Sequence, residues 1–279
     1  MSTVAPPKVS VITPSFNQGR FIEETILSIQ SQSYPNLEHI VVDGGSTDGT
    51  LGILGKNFGK IKWISEKDRG QAHAINKGFR MAQGEIIGWL NSDDIYFNGA
   101  MRQVINIFTN EPTIDVLYGD YIYIDDHGQK LKEERLINFD LKILLYDGCF
   151  IGQPAVFFKR KVFESVGYID EALHFAIDWE YWLRLYFSGC RFYHLPRFLS
   201  GYRLHVKSKT MNQSQALLDE EELVRNKYSA RINNGNCKRN YLVRKYHRFR
   251  KRAVQLWHQN IIEFPRMDSI VRNRCEKYS

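Results

Sequence analysis

Residues 89–94 read Trp-Leu-Asn-Ser-Asp-Asp, so an apolar run ends in the adjacent carboxylates of Asp93 and Asp94. Two carboxylates side by side repel and each favours water, so solvent, a cation or a polar ligand must compensate them. Mg²⁺ or Mn²⁺ suits such a pair, because a hard cation takes one or two carboxylates and fills its shell with phosphate oxygens and water. Three other apolar runs also end in polar residues: Thr13 to Asn17, Asp43, and Asp68-Arg69.

The elements that must position these groups follow from the apolar pattern. Val9 to Thr13, Leu37 to Val42, Ile61 to Ser65 and Glu85 to Leu90 read as short buried strands. Between them, Ile22, Ile26 and Ile29 fall on one helical face, and so do Ala72, Ile75, Phe79 and Ala82. Strands and helices alternating at this interval predict a parallel α/β sheet with right-handed crossovers, which binds ligands at the carboxyl ends of its strands. Asp43, Asp68, Asp93 and Asp94 are thus expected along one edge. Further on, Val116 to Ile124 reads as a strand entering a turn at Asp125-Asp126, and residues 149–160 as another strand bent at Gly152-Gln153. A helix follows Asp178, and Leu195 to Leu204 reads as a last strand.

A dinucleotide-binding dehydrogenase would need a glycine-rich turn after the first strand, where this chain has PSFNQG. GGSTDG at 44–49 follows the wrong strand, and no G-x-x-x-x-G-K-[ST] is present. Phosphates bound without such loops call for a cation, the role open to Asp93 and Asp94.

With 279 residues, 43% hydrophobic and 25% charged, the composition is that of a soluble globular protein with one main domain and an appendage. MSTVAPPK lacks the apolar core of a signal peptide, no run has the length of a membrane span, and the four cysteines form no C-x-x-C pair. A cytoplasmic location is expected. The net charge of +7 is uneven: residues 1–224 carry −5 and residues 225–279 carry +12.

VSVITPSFNQ, IVVDGGSTDGT, DRGQAHAINKG, GEIIGWLNSDD and FAIDWEYWLRL, in that order and over roughly residues 8 to 210, resemble the family 2 glycosyltransferases of the GT-A fold. The resemblance implies an α/β, Rossmann-like nucleotide-sugar-binding fold with a central, mostly parallel sheet. It divides residues 1–215 into a nucleotide half, 8–98, and an acceptor half, 99–215, with a basic helical extension over 216–279. It also implies an inverting, non-processive transfer from a nucleotide sugar, usually a uridine diphosphate sugar, to a hydroxyl of a glycan or lipid-linked acceptor. By position in the motifs, Thr13, Asp43 and Asp68 would contact the nucleoside. Asn91 takes the place of the first Asp in the family's D-x-D element and can still meet a ribose hydroxyl, while Asp93 keeps the metal position with Asp94 as a second contributor. Asp178 falls at the general-base position, where it could also cap its helix; Glu180 is the fallback base. His205 resembles a late-loop metal ligand and Arg203 is placed to meet phosphate. Gly152 and Gln153 resemble the loop facing donor sugar and acceptor.

In the tail, Leu242, Tyr246, Phe249, Ala253 and Leu256 recur at helical spacing among Arg and Lys residues. Such a helix suits either an anionic membrane surface or packing on the catalytic domain. Nucleic acid is not an expected partner, because the bulk of the chain is net negative and carries no such motif. The rival readings are a nucleotide-sugar-binding protein without catalysis and a sugar-1-phosphate nucleotidyltransferase. The second calls for a glycine-rich first loop that PSFNQG does not reproduce.

Overall fold

A computed structural model of the chain describes residues 6–206, 208, 209 and 214–232. In the first half β1 (Val9–Ser15), α1 (Ile22–Gln30), β2 (Leu37–Asp43), α2 (Thr50–Lys56), β3 (Lys62–Ser65), α3 (Gln71–Met81) and β4 (Ile86–Trp89) alternate. β1 and β4 are buried along their whole length and β2 nearly so, as expected of strands covered on both faces. α3 lies against β1 so closely that a Cβ on Gly78 would stand 2.3 Å from Cγ2 of Ile12.

The second half runs β5 (Ile95–Tyr96), α4 (Ala100–Asn110), β6 (Val116–Ile124), β7 (Lys130–Glu134), α5 (Leu141–Tyr146), a 3-10 turn (Gln153–Ala155), β8 (Val156–Lys159), α6 (Lys161–Val166), α7 (Ile177–Phe187), β9 (Phe192–Arg203) and α8 (Gln215–Ile232). One nine-stranded sheet results, in the order β3-β2-β1-β4-β8-β6-β9-β5, with β7 added to β6. β3, β2, β1 and β4 are mutually parallel, as are β6 and β9. β8 is antiparallel to both β4 and β6, β7 to β6, and β5 to β9, so the sheet is mixed.

The strand expected over 149–160 is confined to β8. Pro154 has no N–H for a ladder, and the preceding residues turn instead. Asp125 is the turn former expected of it: its Oδ1 accepts from the N–H groups of His127 and Gln129.

The boundary expected at 215/216 falls at the start of α8, which packs on α5 and α7 and contributes Val224 and Tyr228 to the main core. Its first half is acidic, carrying Asp219, Glu220, Glu221 and Glu222. The basic stretch around 242–256 lies outside the described residues. No helix among the described residues is long and apolar enough to cross a membrane.

Candidate active site

A cleft of about 760 Å³ opens at the carboxyl ends of β1 and β4. From the first half Ser15, Asp68, Asn91 and Asp93 line it; from the second, Gly152, Gln153 and Asp178 do. Both halves therefore contribute expected site residues to one cavity.

The loops after β1 and β2 are laced together beside it. Asn17, with φ at +52°, accepts from the Thr47 N–H through Oδ1, its own N–H donates to Ser46 Oγ, and the Gly19 N–H donates to Asp48 Oδ2. Asp43 anchors this arrangement from beneath. It is fully buried; Oδ2 accepts from the Gly45 and Ser46 N–H groups and the Ser65 hydroxyl, and Oδ1 from the Ser46 hydroxyl. In this structure the Asp43 carboxylate is bonded within its own loop, one layer behind the residues that line the cleft. Thr13 likewise lies behind the cleft lining. Its Oγ1 sits 2.9 Å from Nε2 of buried His39, an imidazole that burial pushes down to about 3 and so keeps neutral. Asp68 does line the cleft, Oδ1 accepting from the Gly70 N–H at 2.8 Å. Its Oδ2 would stand 2.6 Å from a Cβ on residue 44, so a larger residue there would have to push the Asp68 carboxylate aside.

Asn91 Oδ1 accepts from Gln71 Nε2 and from Trp89 Nε1, fixing the side chain at the mouth of β4. Asp93 Oδ2 lies 3.0 Å from Nε2 of His205, whose ring packs on Phe21 with centroids 4.8 Å apart. The carboxylate and imidazole suit Mn²⁺ or Mg²⁺. Among the described residues no group of three or more Asp, Glu, His or Cys stands close enough to hold a metal ion on its own.

Arg203 and Asp94 are corrected. The Arg203 side chain is buried and donates to Asp93 O at 2.7 Å, Asp125 O at 2.8 Å and Glu24 Oε2 at 2.5 Å, leaving no free fork for a phosphate. Its own N–H donates to Asp94 Oδ1 at 2.8 Å. Asp94 is buried under the turn rather than in the cleft, and burial together with the Asp93 charge pushes its carboxyl well above the usual range. These two residues brace the loop that carries Asp93.

Asp178 stands in the first turn of α7, two residues past Ala176, which takes the cap position. Its Oδ1 accepts from the Trp179 N–H at 2.8 Å. Burial raises the carboxyl to about 6, against that N–H and the Lys209 charge. Glu180 is corrected as a fallback base, since it points away from the cleft into the α7–α8 contact. There it meets the Tyr228 hydroxyl at 2.7 Å, Lys227 Nζ at 3.0 Å and Arg184 at 3.1 Å. Burial alone would raise its pKa, but these partners outweigh burial and leave it lowered. Gln153 Nε2 donates to Trp89 O, joining the acceptor-side loop to the end of β4.

The sequence reading missed several cleft residues. Tyr121 and Tyr123, two apart on β6, form a contiguous group of rings with Tyr202. Their period-two spacing in VLYGDYIYI carried the signal. Lys209 donates to Gln71 Oε1 and His174 O and was signalled by the basic run after His205. Leu217 and Glu221 of α8 also reach the cleft, and nothing local in the sequence marks them.

Residues 10–167 match the family model described as Glycosyl transferase family 2. An uncharacterized glycosyltransferase of Rickettsia prowazekii (strain Madrid E) is 30% identical over 229 residues, covering 78% of this chain and 70% of its own. A longer Rickettsia conorii glycosyltransferase is covered over only 31% of its length. In Bacillus subtilis (strain 168), a protein named as a teichuronic acid biosynthesis glycosyltransferase, TuaG, is 32% identical over 75% of this chain and 84% of its own. Among solved structures, S. aureus TarS 1–349 in complex with UDP-GlcNAc superposes with a TM-score of 0.64 at 20% identity, over 86% of this chain and 69% of that one. The mannosyltransferase PcManGT from Pyrobaculum calidifontis, in complex with GDP-Man and Mn²⁺, gives 0.58 at 18% identity over 98% and 82%. These likenesses show the GT-A fold.

Proposed function

The chain belongs to glycosyl transferase family 2, and from that premise we propose that it moves a sugar from a nucleotide diphosphate sugar to a hydroxyl of a glycan or lipid-linked acceptor, with inversion. The carrying observation is Asp178, a cleft carboxylate held only by backbone N–H groups of its own helix turn, those of Trp179 and Asp178 itself, with a pKa raised to about 6. A carboxylate so tuned is ionised at neutral pH yet basic enough to take a proton from an attacking hydroxyl. A uridine diphosphate sugar is the expected donor, which the UDP-GlcNAc held by TarS supports. The name of the Bacillus relative supports a cell-envelope polysaccharide as the product.

Asp68 and Asn91 orient the nucleoside and its ribose at the first-half wall. Asp93 and His205 would hold Mn²⁺ or Mg²⁺, which when bound offsets the charge of the departing diphosphate. Gly152 and Gln153 face the transferred sugar, and Asp178 receives the acceptor proton from the opposite side. Action on the cytoplasmic face of a membrane, with the basic stretch beyond residue 232 touching anionic lipid, belongs to the same reading.

A panel of nucleotide sugars with Mn²⁺, scored for nucleotide release and thermal stabilisation, tests it. Release of nucleoside diphosphate supports glycosyl transfer. Pyrophosphate released from a nucleoside triphosphate would instead make the chain a nucleotidyltransferase.

A further inference from the structure

The segment that delivers Asp178 is held from outside its own helix. α7 begins at Ile177, and Ala176 at the cap position has no side chain to accept the free N–H groups of a helix start. Glu220, on α8, instead holds the segment that leads into the helix, taking the N–H of the cap residue and those of the two residues before it. Its Oε1 takes the His174 N–H at 2.8 Å, and its Oε2 takes the Phe175 N–H at 2.7 Å and the Ala176 N–H at 3.0 Å. A carboxylate at this end of a helix also complements the helix dipole.

α8 grips α7 again just past Asp178. Lys227 and Tyr228 bind Glu180, and the Arg225 guanidinium lies 5.1 Å from the Trp179 ring centroid. Asp178 therefore sits between two anchor points from the same helix. Leu217 and Glu221, from the turn that carries Glu220, line the cleft itself. All of these α8 residues lie beyond residue 167, the end of the family match.

We propose that α8 is a working part of the catalytic cleft and that Glu220 is a positioning residue for Asp178, a proposal that rests on Asp178 being the base. Three backbone N–H groups converging on one carboxylate fix residues 174–176, the segment from which α7 starts, and with it the direction in which the helix presents Asp178. Displacing a reacting group by about 1 Å is enough to cost on the order of 100-fold in rate.

The test uses the full chain as Glu220→Ala, Glu220→Gln and, as a control on the same helix, Glu222→Gln. Amide hydrogen exchange at residues 174–176 should quicken about tenfold or more in Glu220→Ala, less in Glu220→Gln, and not at all in the control. With UDP-GlcNAc and Mn²⁺ as the probe and UDP release as the readout, Glu220→Ala should lower kcat about 100-fold at unchanged donor KM. Glu220→Gln, which keeps an accepting oxygen, should recover part of that loss. Unchanged exchange at 174–176 overturns the proposal, and so does a kcat equal to that of the control. A fall in kcat matched by a rise in donor KM and by faster exchange throughout the chain would make Glu220 merely structural and also overturn it. Wild-type protein that releases nucleotide from no donor would defeat the transferase reading, while the exchange pattern would still decide whether Glu220 holds the segment carrying Asp178.

Discussion

Asp43 and Asp178 are both motif carboxylates at the edge of the same sheet, yet the two halves of the molecule use them in opposite ways. In the nucleotide half Asp43 is sealed in and saturated by Gly45, Ser46 and Ser65. In the acceptor half Asp178 faces the cleft, with its carboxyl raised and one N–H at Oδ1. Bonds from one loop to both oxygens make a carboxylate a fastener, because they hold the backbone around it in place. Sparse bonding beside a cavity leaves basicity available for chemistry. The first half thus holds its binding wall with residues that do not touch it, and the second half exposes the residue expected to react.

Substitutions can break this contrast. The largest effect is expected for Asp178→Asn, which should lower transfer by about 10²- to 10⁴-fold while leaving nucleotide binding intact, as read by initial rates and calorimetry. Equal loss of both would place Asp178 among the fasteners. Arg203→Met should act in the other manner, costing about 3 kcal/mol in denaturant unfolding because it orphans the Asp93 and Asp125 carbonyls. Unchanged stability would show that the loop holds without it. His205→Ala should weaken Mn²⁺ binding about tenfold or more, measured by electron paramagnetic resonance, with little change in melting temperature. The smallest effect is the pH profile. The base must be ionised, so kcat/KM should fall about tenfold as pH drops from 7 to 5 through the raised pKa near 6. An ordinary aspartate would keep the rate nearly flat over that range.

Much of the first half was legible because buried parallel strands read as unbroken apolar runs and α1 and α3 repeat at helical spacing. The meeting of Asp68, Asn91 and Asp93 at one cleft was legible too, since strand ends in such a sheet share an edge, whereas Asp178, on a helix, was expected there only from the family resemblance. What a residue type cannot reveal is which way its side chain turns. Asp43 is drawn under its loop by Gly45, whose φ of +85° brings the following N–H groups back to the carboxylate. Arg203 is turned inward by carbonyls that lie far off in sequence. α4 escaped notice although Ala100, Met101, Val104 and Phe108 form a readable buried face. Glu220 could not have been found, because its partners are backbone N–H groups more than forty residues away and carry no side-chain signature.

The ring of partners around Glu180 sets how short a working piece of this protein can be. Cutting the chain at residue 215 would strip Tyr228 from the Phe187 ring it stacks on and leave a buried negative charge facing Arg184 alone. A fragment trimmed to the last strand should therefore come out of expression insoluble.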